Sequence, residues 1–155
     1  MDAENPFKTP SAELVSPLSD TNRAPLYTLA GVGLATFIGS PLAGGYLIGR
    51  NLKALGRHSE VIRAWGIAIA IFVVCNALLF ISPGGKSTVP LTIAQVVGMY
   101  FAAQYSFGPA LVLQGEQGGP LYSNWRAAGI GLLYGLCLFA LILVVILPLV
   151  LFELI

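Results

Sequence analysis

The polar residues within the apolar stretches of this sequence are the first candidates for chemistry. Asn76 and Gln95 are the costliest of them, because an amide group in hydrocarbon needs a hydrogen-bond partner. Their usual role is a hydrogen bond between helices, and the alternative is a polar lining for a small substrate. Pro41 removes a backbone hydrogen bond and predicts either a simple kink or the broken helix of a transporter. We therefore treat Asn76 and Gln95, together with Pro41, as a candidate polar intramembrane site.

Other patterns do not predict a catalytic, cofactor or metal site. His58 is the only histidine and cannot form a metal site alone. Cys75 and Cys137 fall in separate apolar stretches, without a CxxC or Cys/His spacing. The sequence Gly85-Lys86-Ser87 is not a phosphate-binding loop, because Phe80 stands where that loop needs glycine. We therefore expect no catalytic residues, no cofactor, no metal and a non-enzymatic role.

The composition places most of this chain in lipid. Of its 155 residues, 56% are hydrophobic and only 10% are charged, and the mean hydropathy is +0.81. A soluble domain needs roughly a quarter charged residues to cover its surface. The net charge of +1 and the lack of a basic block argue against a nucleic-acid partner. The expected partner is the lipid bilayer.

Four stretches are long and apolar enough to cross a bilayer as helices, and none contains Asp, Glu, Lys, Arg or His. They cover about 26–48, 64–81, 89–110 and 127–152. The loops between them are short, which makes successive helices antiparallel neighbours. The fold class predicted here is all-α, an integral membrane protein with a four-helix transmembrane bundle. Residues 1–25 are polar and proline-rich, and they predict a disordered tail before a transmembrane domain over 26–155.

Small residues recur at every fourth position in the predicted spans. Such rows let helix backbones approach closely in a membrane, where van der Waals contact drives association. The rows comprise Gly31, Ala35, Gly39 and Ala43, then Ala94, Gly98, Ala102 and Ser106, then Ala127, Gly131 and Gly135, with the shorter pairs Gly45 and Gly49, and Gly66 and Ala70. They predict helix packing within a compact bundle, and homodimerisation through an unused row is the alternative.

The basic residues predict the topology. The first loop holds Arg50, Lys53, Arg57 and Arg63, and the third loop holds Arg126. We expect the four in the first loop to lie at the membrane interface, beside anionic headgroups. The opposite side holds Lys8, Arg23 and Lys86. The positive-inside rule then places the first and third loops in the cytoplasm and both termini outside.

The segment from Thr36 to Gly56 resembles TFxGxPLAGxYLxxxNxKALG, a segment of small uncharacterised bacterial inner-membrane proteins. Ser40 stands where glycine is common in that segment. The resemblance covers about 20 residues and implies a multi-pass protein of the bacterial inner membrane, without a known activity. The start Asn5-Pro6-Phe7 is also similar to Asn-Pro-aromatic tails of other such proteins, which are often cytoplasmic. That similarity conflicts with the charge-based topology.

Together these features favour a membrane protein that acts by helix–helix association with itself or with a larger membrane complex. The alternative is a small transporter or channel subunit, with its polar site near Pro41, Asn76 and Gln95. An intramembrane enzyme is disfavoured, because acid–base or metal chemistry needs ionisable residues that converge in a site.

Overall fold

The fold is all-α, as the sequence predicts. The computed structural model describes residues 24–81 and 88–151. Within those ranges the regular elements are helices, apart from one isolated bridge between Leu26 and Leu121. The helices are α1 (Leu29–Gly39), α2 (Pro41–Ala54), α3 (Val61–Ile81), α4 (Val89–Glu116) and α5 (Asn124–Leu151), with a 3₁₀ turn at His58–Glu60 before α3. The predicted disordered tail lies outside the described residues, except for Ala24 and Pro25.

The predicted first span over 26–48 is wrong as a single helix. The chain stops being helical at Ser40, and α1 and α2 are separate elements of 11 and 14 residues. At 1.5 Å per residue α1 is about 16 Å long, roughly half the thickness of a hydrocarbon core. Neither helix can cross a bilayer, so the predicted count of four spanning helices falls to three.

The two short helices fold back on each other as a hairpin. At its open end, Asn51 near the end of α2 hydrogen bonds with Tyr27, which precedes α1. Closer to the turn, Gly44 on α2 lies directly against the hydroxyl of Thr36 on α1. These two pairings fix an antiparallel arrangement with Ser40 at its tip. A hydropathy window treats this hairpin as one continuous apolar stretch.

The other three predicted spans match helices that are long and apolar enough to cross a membrane. The span predicted over 64–81 corresponds to α3, and the one over 127–152 to α5. The span predicted over 89–110 corresponds to α4, which begins at the predicted residue but continues six residues further, to Glu116. This helix contains Pro109. The short loops of the prediction are present where the chain is described, while residues 82–87 lie outside the described ranges.

The hairpin forms the centre of the bundle. Among the described residues, α5 packs against α1 and α2 and reaches neither α3 nor α4. Helices α3 and α4 pack against the hairpin and each other. The buried core consists of Tyr27, Val32, Ala35, Ala43, Leu47, Ile48, Leu52, Ala64, Ala68, Met99, Ala103, Phe107 and Ala127. Most of these residues lie on or directly against the hairpin.

The hairpin also corrects the predicted placement of the chain's start. We call the end of the bundle that holds Tyr27, Asn51 and Asn124 the base end. Because the hairpin returns to the base end, the start of the described chain lies beside the first and third loops. The backbone N–H of Leu26 donates to the carbonyl of Pro120, and Tyr122 donates to Leu26, both in the third-loop region. The prediction that the chain enters from the side opposite these loops is wrong.

Candidate functional site

The turn between α1 and α2 has the most unusual backbone among the described residues. Ser40 has φ 133° and ψ 170°, a conformation that is nearly restricted to glycine. It is the one non-glycine residue with positive φ in the described chain. Its hydroxyl oxygen is buried and lacks a hydrogen-bond partner among the described residues. Pro41 follows as the first residue of α2, where its missing N–H has no cost. The tip therefore combines backbone strain with an unpaired hydroxyl group inside an apolar bundle.

Close packing continues just below the tip. The hydroxyl of Thr36 donates to the carbonyl of Val32 at 2.8 Å, so it is satisfied within α1. A methyl group added at Gly44 would collide with that hydroxyl and would lie 3.1 Å from the side chain of Met99 on α4. The two limbs of the hairpin therefore meet at backbone distance, and α4 covers their shared side.

Helices α1 and α5 meet along two of the predicted rows of small residues. A Cβ atom added at Gly39 would overlap the carbonyl of Gly131, and one added at Gly131 would lie 2.8 Å from the carbonyl of Ala35. Gly31 lies against Ala127 in the same way, with 3.3 Å from an added Cβ to the Ala127 methyl group.

The two rows correspond only in part to the prediction. Gly135 continues the seam on α5, because a Cβ added there would lie 3.1 Å from the carbonyl of Ile38. Ala43 does not extend the row of α1, because the chain has turned at Ser40 and Ala43 is buried on α2 instead. The two helices therefore run parallel along this seam, which spans α1 from Gly31 to Gly39 and the first half of α5.

Helices α2 and α3 meet through a different pair of small-residue rows. Gly45 lies opposite Ala68, with 2.5 Å from an added Cβ to the Ala68 methyl group, and opposite the carbonyl of Ala64 at 3.7 Å. The predicted pair Gly66 and Ala70 points the other way, since both residues are exposed. The small residues of α3 that pack are therefore two positions away from those that the sequence predicts.

The predicted row on α4 lies at the edge of its contact face. Gly98 packs on Ile71 of α3, with 3.2 Å from an added Cβ to the Ile71 side chain. Ala102 is half-buried against the core, and Ala94 is exposed. The face of α4 that points into the bundle is one residue further along and consists of Met99, Ala103 and Phe107.

The candidate polar site of Asn76 and Gln95 is not assembled by hydrogen bonds. The side-chain amide of Asn76 donates to the carbonyl of Phe72, one turn earlier on the same helix, at 2.7 Å. This bond lies within α3, and the described residues include no hydrogen bond from Asn76 to another helix. Gln95 is half-buried on α4 and makes no side-chain hydrogen bond within the described ranges. Pro41 lies at the hairpin tip, and no hydrogen bond among the described residues joins the tip to the side chain of Asn76 or Gln95.

The open end of the hairpin is closed by a buried amide. Asn51 is 1% exposed. Its side-chain oxygen accepts from the Tyr27 backbone N–H at 2.8 Å, and its nitrogen donates to the Tyr27 carbonyl at 2.8 Å. One side chain thus satisfies both backbone groups of a residue that would otherwise be buried without partners. Asn51 therefore holds the two ends of the hairpin together.

Two further polar contacts attach the start of the chain to the rest of the base end. The amide nitrogen of Gln114 donates to the carbonyl of Pro120 at 2.7 Å and to that of Ala24 at 3.4 Å. The hydroxyl of Thr28 donates to the side chain of Asn124 at 2.7 Å and caps α1 by accepting from the Gly31 N–H. These contacts tie the first described residues to α4 and α5.

The predicted interfacial basic residues all lie at the base end, in two different environments. Arg57 is half-buried, forms an ion pair with Glu60 at 2.5 Å and donates to the carbonyl of Ser106 on α4. Arg63 is exposed at the start of α3. Arg57 therefore joins the first loop to α4, whereas Arg63 is free of such contacts among the described residues.

Arg50 and Lys53 are exposed and line a cavity of about 270 Å³ with Tyr27 and Tyr122. The two rings lie 4.4 Å apart, and the guanidinium of Arg126 lies 4.2 Å from the centre of the Tyr122 ring. Burial raises the pKa of the Tyr27 hydroxyl, which keeps it protonated at neutral pH. The result is a basic and aromatic pocket at the base end.

Sequence reasoning missed the polar residues that hold the base end together, namely Tyr27, Thr28, Asn51, Gln114 and Asn124. Each lies within a few residues of a helix end, where a polar side chain has many ordinary roles. The one signal was the position of Asn51 inside the segment of resemblance.

Among the described residues, no group of three His, Cys, Asp or Glu side chains lies together in a way that could hold a metal ion. Comparison with family models, with curated proteins and with solved structures finds no match to this chain.

Proposed function

We propose that this chain is a non-enzymatic protein of the bacterial inner membrane that acts by helix–helix association, with a second copy of itself or with a larger membrane complex. The observation that carries this proposal is the distal half of α5. Gly131 meets the hairpin tip region, and α5 continues for 20 residues beyond it, roughly 30 Å of helix. Every described side chain from Phe139 to Val150 is exposed and apolar.

A single helix that stands apart from its bundle gains no packing energy there. Helix association in lipid depends on van der Waals contact, because lipid tails are as apolar as the side chains. The distal surfaces of α3 and α4 are apolar and exposed as well, for example at Val74 and Ile93. A partner helix beside α5 would replace lipid contacts with the tighter packing that the hairpin gives to the first half of α5.

Site-specific photocrosslinking in native membranes tests the association. A photoreactive residue at Val144, which is 70% exposed, should yield a protein adduct of defined mass. The matched control is Ile62 on the proximal part of α3, which is 75% exposed. Adducts with lipid alone at both positions would overturn the proposal. An adduct of twice the chain mass identifies self-association, and any other mass identifies a complex.

A small transporter or channel subunit is the second candidate, and the hairpin tip favours it. Non-helical backbone at membrane depth is tolerated where it is buried in protein or lines a cavity, and transporters use such breaks to bind ions. The test is solute flux through proteoliposomes that carry the folded chain. Loss of flux in Asn76→Leu, Gln95→Leu or Ser40→Ala variants would support this candidate. Normal flux in all three would exclude it.

We also propose that the base end faces the cytoplasm. With the hairpin returning to the base end, seven of the eight lysines and arginines lie there or in the tail that precedes Ala24. The remaining one, Lys86, belongs to the connection between α3 and α4. The N-terminus is then cytoplasmic and the C-terminus is outside. Reporter fusions at Met1, Gly84 and Ile155 test this orientation, and a cytoplasmic signal at Gly84 would refute it.

A further inference from the structure

The basic cavity at the base end has an unbalanced charge. Arg50 and Lys53 line it, and Arg126 lies over the ring of Tyr122 at its wall. None of the three cations has an ion-pair partner among the described residues, where the one ion pair joins Arg57 to Glu60. No carboxylate of the described chain lines the cavity. This pocket therefore offers charge and hydrogen-bond donors to an anion.

A second cavity of about 390 Å³ adjoins the basic one, and it is mainly apolar. The two share Ala24 and Ala54 as common walls. Leu55, Ala110 and Leu113 line the apolar cavity between the end of α2 and the end of α4. Leu113 is 55% exposed on α4, so this cavity reaches the surface of the bundle. Its volume is within the range of about 300–1,000 Å³ that is typical of ligand pockets.

We propose that the two cavities together bind one anionic phospholipid. Its phosphate lies in the basic cavity, where Arg50 offers a forked pair of donors and Lys53 a compact charge. One acyl chain lies in the apolar cavity against Leu113 and Ala110. The pairing of a basic pocket with an apolar one, at the end of a membrane bundle, matches an amphiphile and not a free phosphate ion.

The lipid site is independent of the association surface proposed for α5. It uses residues of α2, α4 and the segment before α1, at the end of the bundle opposite the distal half of α5. A failed crosslinking experiment at Val144 would leave this site unaffected, and loss of lipid binding would leave that association unaffected.

Lipid titration of the purified full chain, followed by native mass spectrometry, tests the proposal. Phosphatidylglycerol should bind more tightly than phosphatidylcholine. Neutralising a cation near a phosphate costs about fivefold in affinity, so the double variant Arg50→Gln/Lys53→Gln should bind phosphatidylglycerol roughly 25-fold more weakly. The matched control is Arg63→Gln, which removes an exposed cation from the same end outside both cavities, and its affinity should stay within about twofold of the natural chain.

A second variant tests the apolar half of the site. Ala110→Phe fills the apolar cavity and should weaken phosphatidylglycerol binding by roughly tenfold, while competition by inorganic phosphate stays unchanged. Ala70→Phe, at an exposed position of α3 outside both cavities and outside the distal half of α5, is its control for added bulk.

Three results would overturn the proposal. The first is an equal loss of affinity in the Arg63→Gln control, which would indicate general surface charge. The second is full displacement of phosphatidylglycerol by inorganic phosphate together with an unchanged phosphatidylglycerol affinity in Ala110→Phe. That result would indicate a site for a free anion. The third is lipid binding that occurs only after deletion of residues 1–22, which would identify the chain's own tail as the occupant.

Discussion

Replacing Ser40 with glycine should stabilise this protein, and the structure supplies the magnitude. The backbone conformation at Ser40 costs on the order of 1–3 kcal/mol for a residue with a Cβ atom. The buried hydroxyl without a partner costs a further 1–3 kcal/mol or so. Ser40→Ala removes only the second cost and should stabilise by about 1 kcal/mol. Ser40→Gly removes both but adds about 0.5–1 kcal/mol of chain entropy in the unfolded state, so it should stabilise by about 2 kcal/mol.

Thermal unfolding of the three chains in one detergent measures this order. A stabilisation of 2 kcal/mol corresponds to a rise in Tm of roughly 4–8 °C for a chain of this size. The expected ranking of Tm is Ser40→Gly above Ser40→Ala above the natural chain. Equal Tm values for both variants would limit the backbone strain to the roughly 0.5–1 kcal/mol of chain entropy that glycine adds, and a Tm of Ser40→Gly below that of Ser40→Ala would show that the turn is unstrained. If the Tm values of both variants fell below that of the natural chain, the Ser40 hydroxyl would make a stabilising contact, and the assignment of an unpaired hydroxyl would be refuted.

Two more substitution pairs test the packing and the base end. Gly39→Ala forces a methyl group into the backbone of α5 and should destabilise by about 2–3 kcal/mol, whereas Gly129→Ala, which has open space around it, should be neutral or slightly stabilising. Equal Tm values for these two chains would contradict the close seam. Asn51→Ala leaves both backbone groups of Tyr27 unpaired and should cost about 3 kcal/mol in unfolding, against less than about 1 kcal/mol for Asn76→Ala. A similar loss in both would refute the special role of Asn51.

The sequence predicts α3, α4 and α5 well, because length and apolarity are sufficient to identify a spanning helix. It fails at the hairpin for a physical reason. Hydropathy averages over a window, so 23 apolar residues look the same whether they continue straight or reverse at residue 40. The dipeptide Ser40-Pro41 predicts a break in hydrogen bonding but does not set its angle.

Two signals in the sequence point to the reversal in retrospect. One is the pair Ser40-Pro41, because proline favours the first position of a helix and so marks a new helix start at residue 41. The basic residues, when counted for four spans, divide five against three, which is a weak bias for a membrane protein. In the orientation proposed above, Lys8 and Arg23 join the larger group.

The small-residue rows illustrate a second limit. Small residues at every fourth position identify a flat stripe on a helix, but they do not identify which helix packs against that stripe. The rows of α1 and α5 face each other, while those of α3 and α4 are displaced from the true contact faces by one or two residues. Polar residues at helix ends, such as Asn51 and Gln114, carry no periodic signal, so their partners depend on the folded chain.

The seam between Gly39 and Gly131 has a consequence for biogenesis. The ribosome synthesises the hairpin before the other helices and α5 last. Helices α1 and α2 therefore emerge long before α5, which packs against α1 at backbone distance. Neither limb is long enough to leave the translocon as a span, so we expect the hairpin to complete its insertion only after α5 supplies the last part of its binding surface. A cysteine at position 40 should therefore react with a water-soluble maleimide in chains that stop before Asn124 and become protected in the finished protein. In this order of events, the centre of the bundle is the last part to enter the membrane.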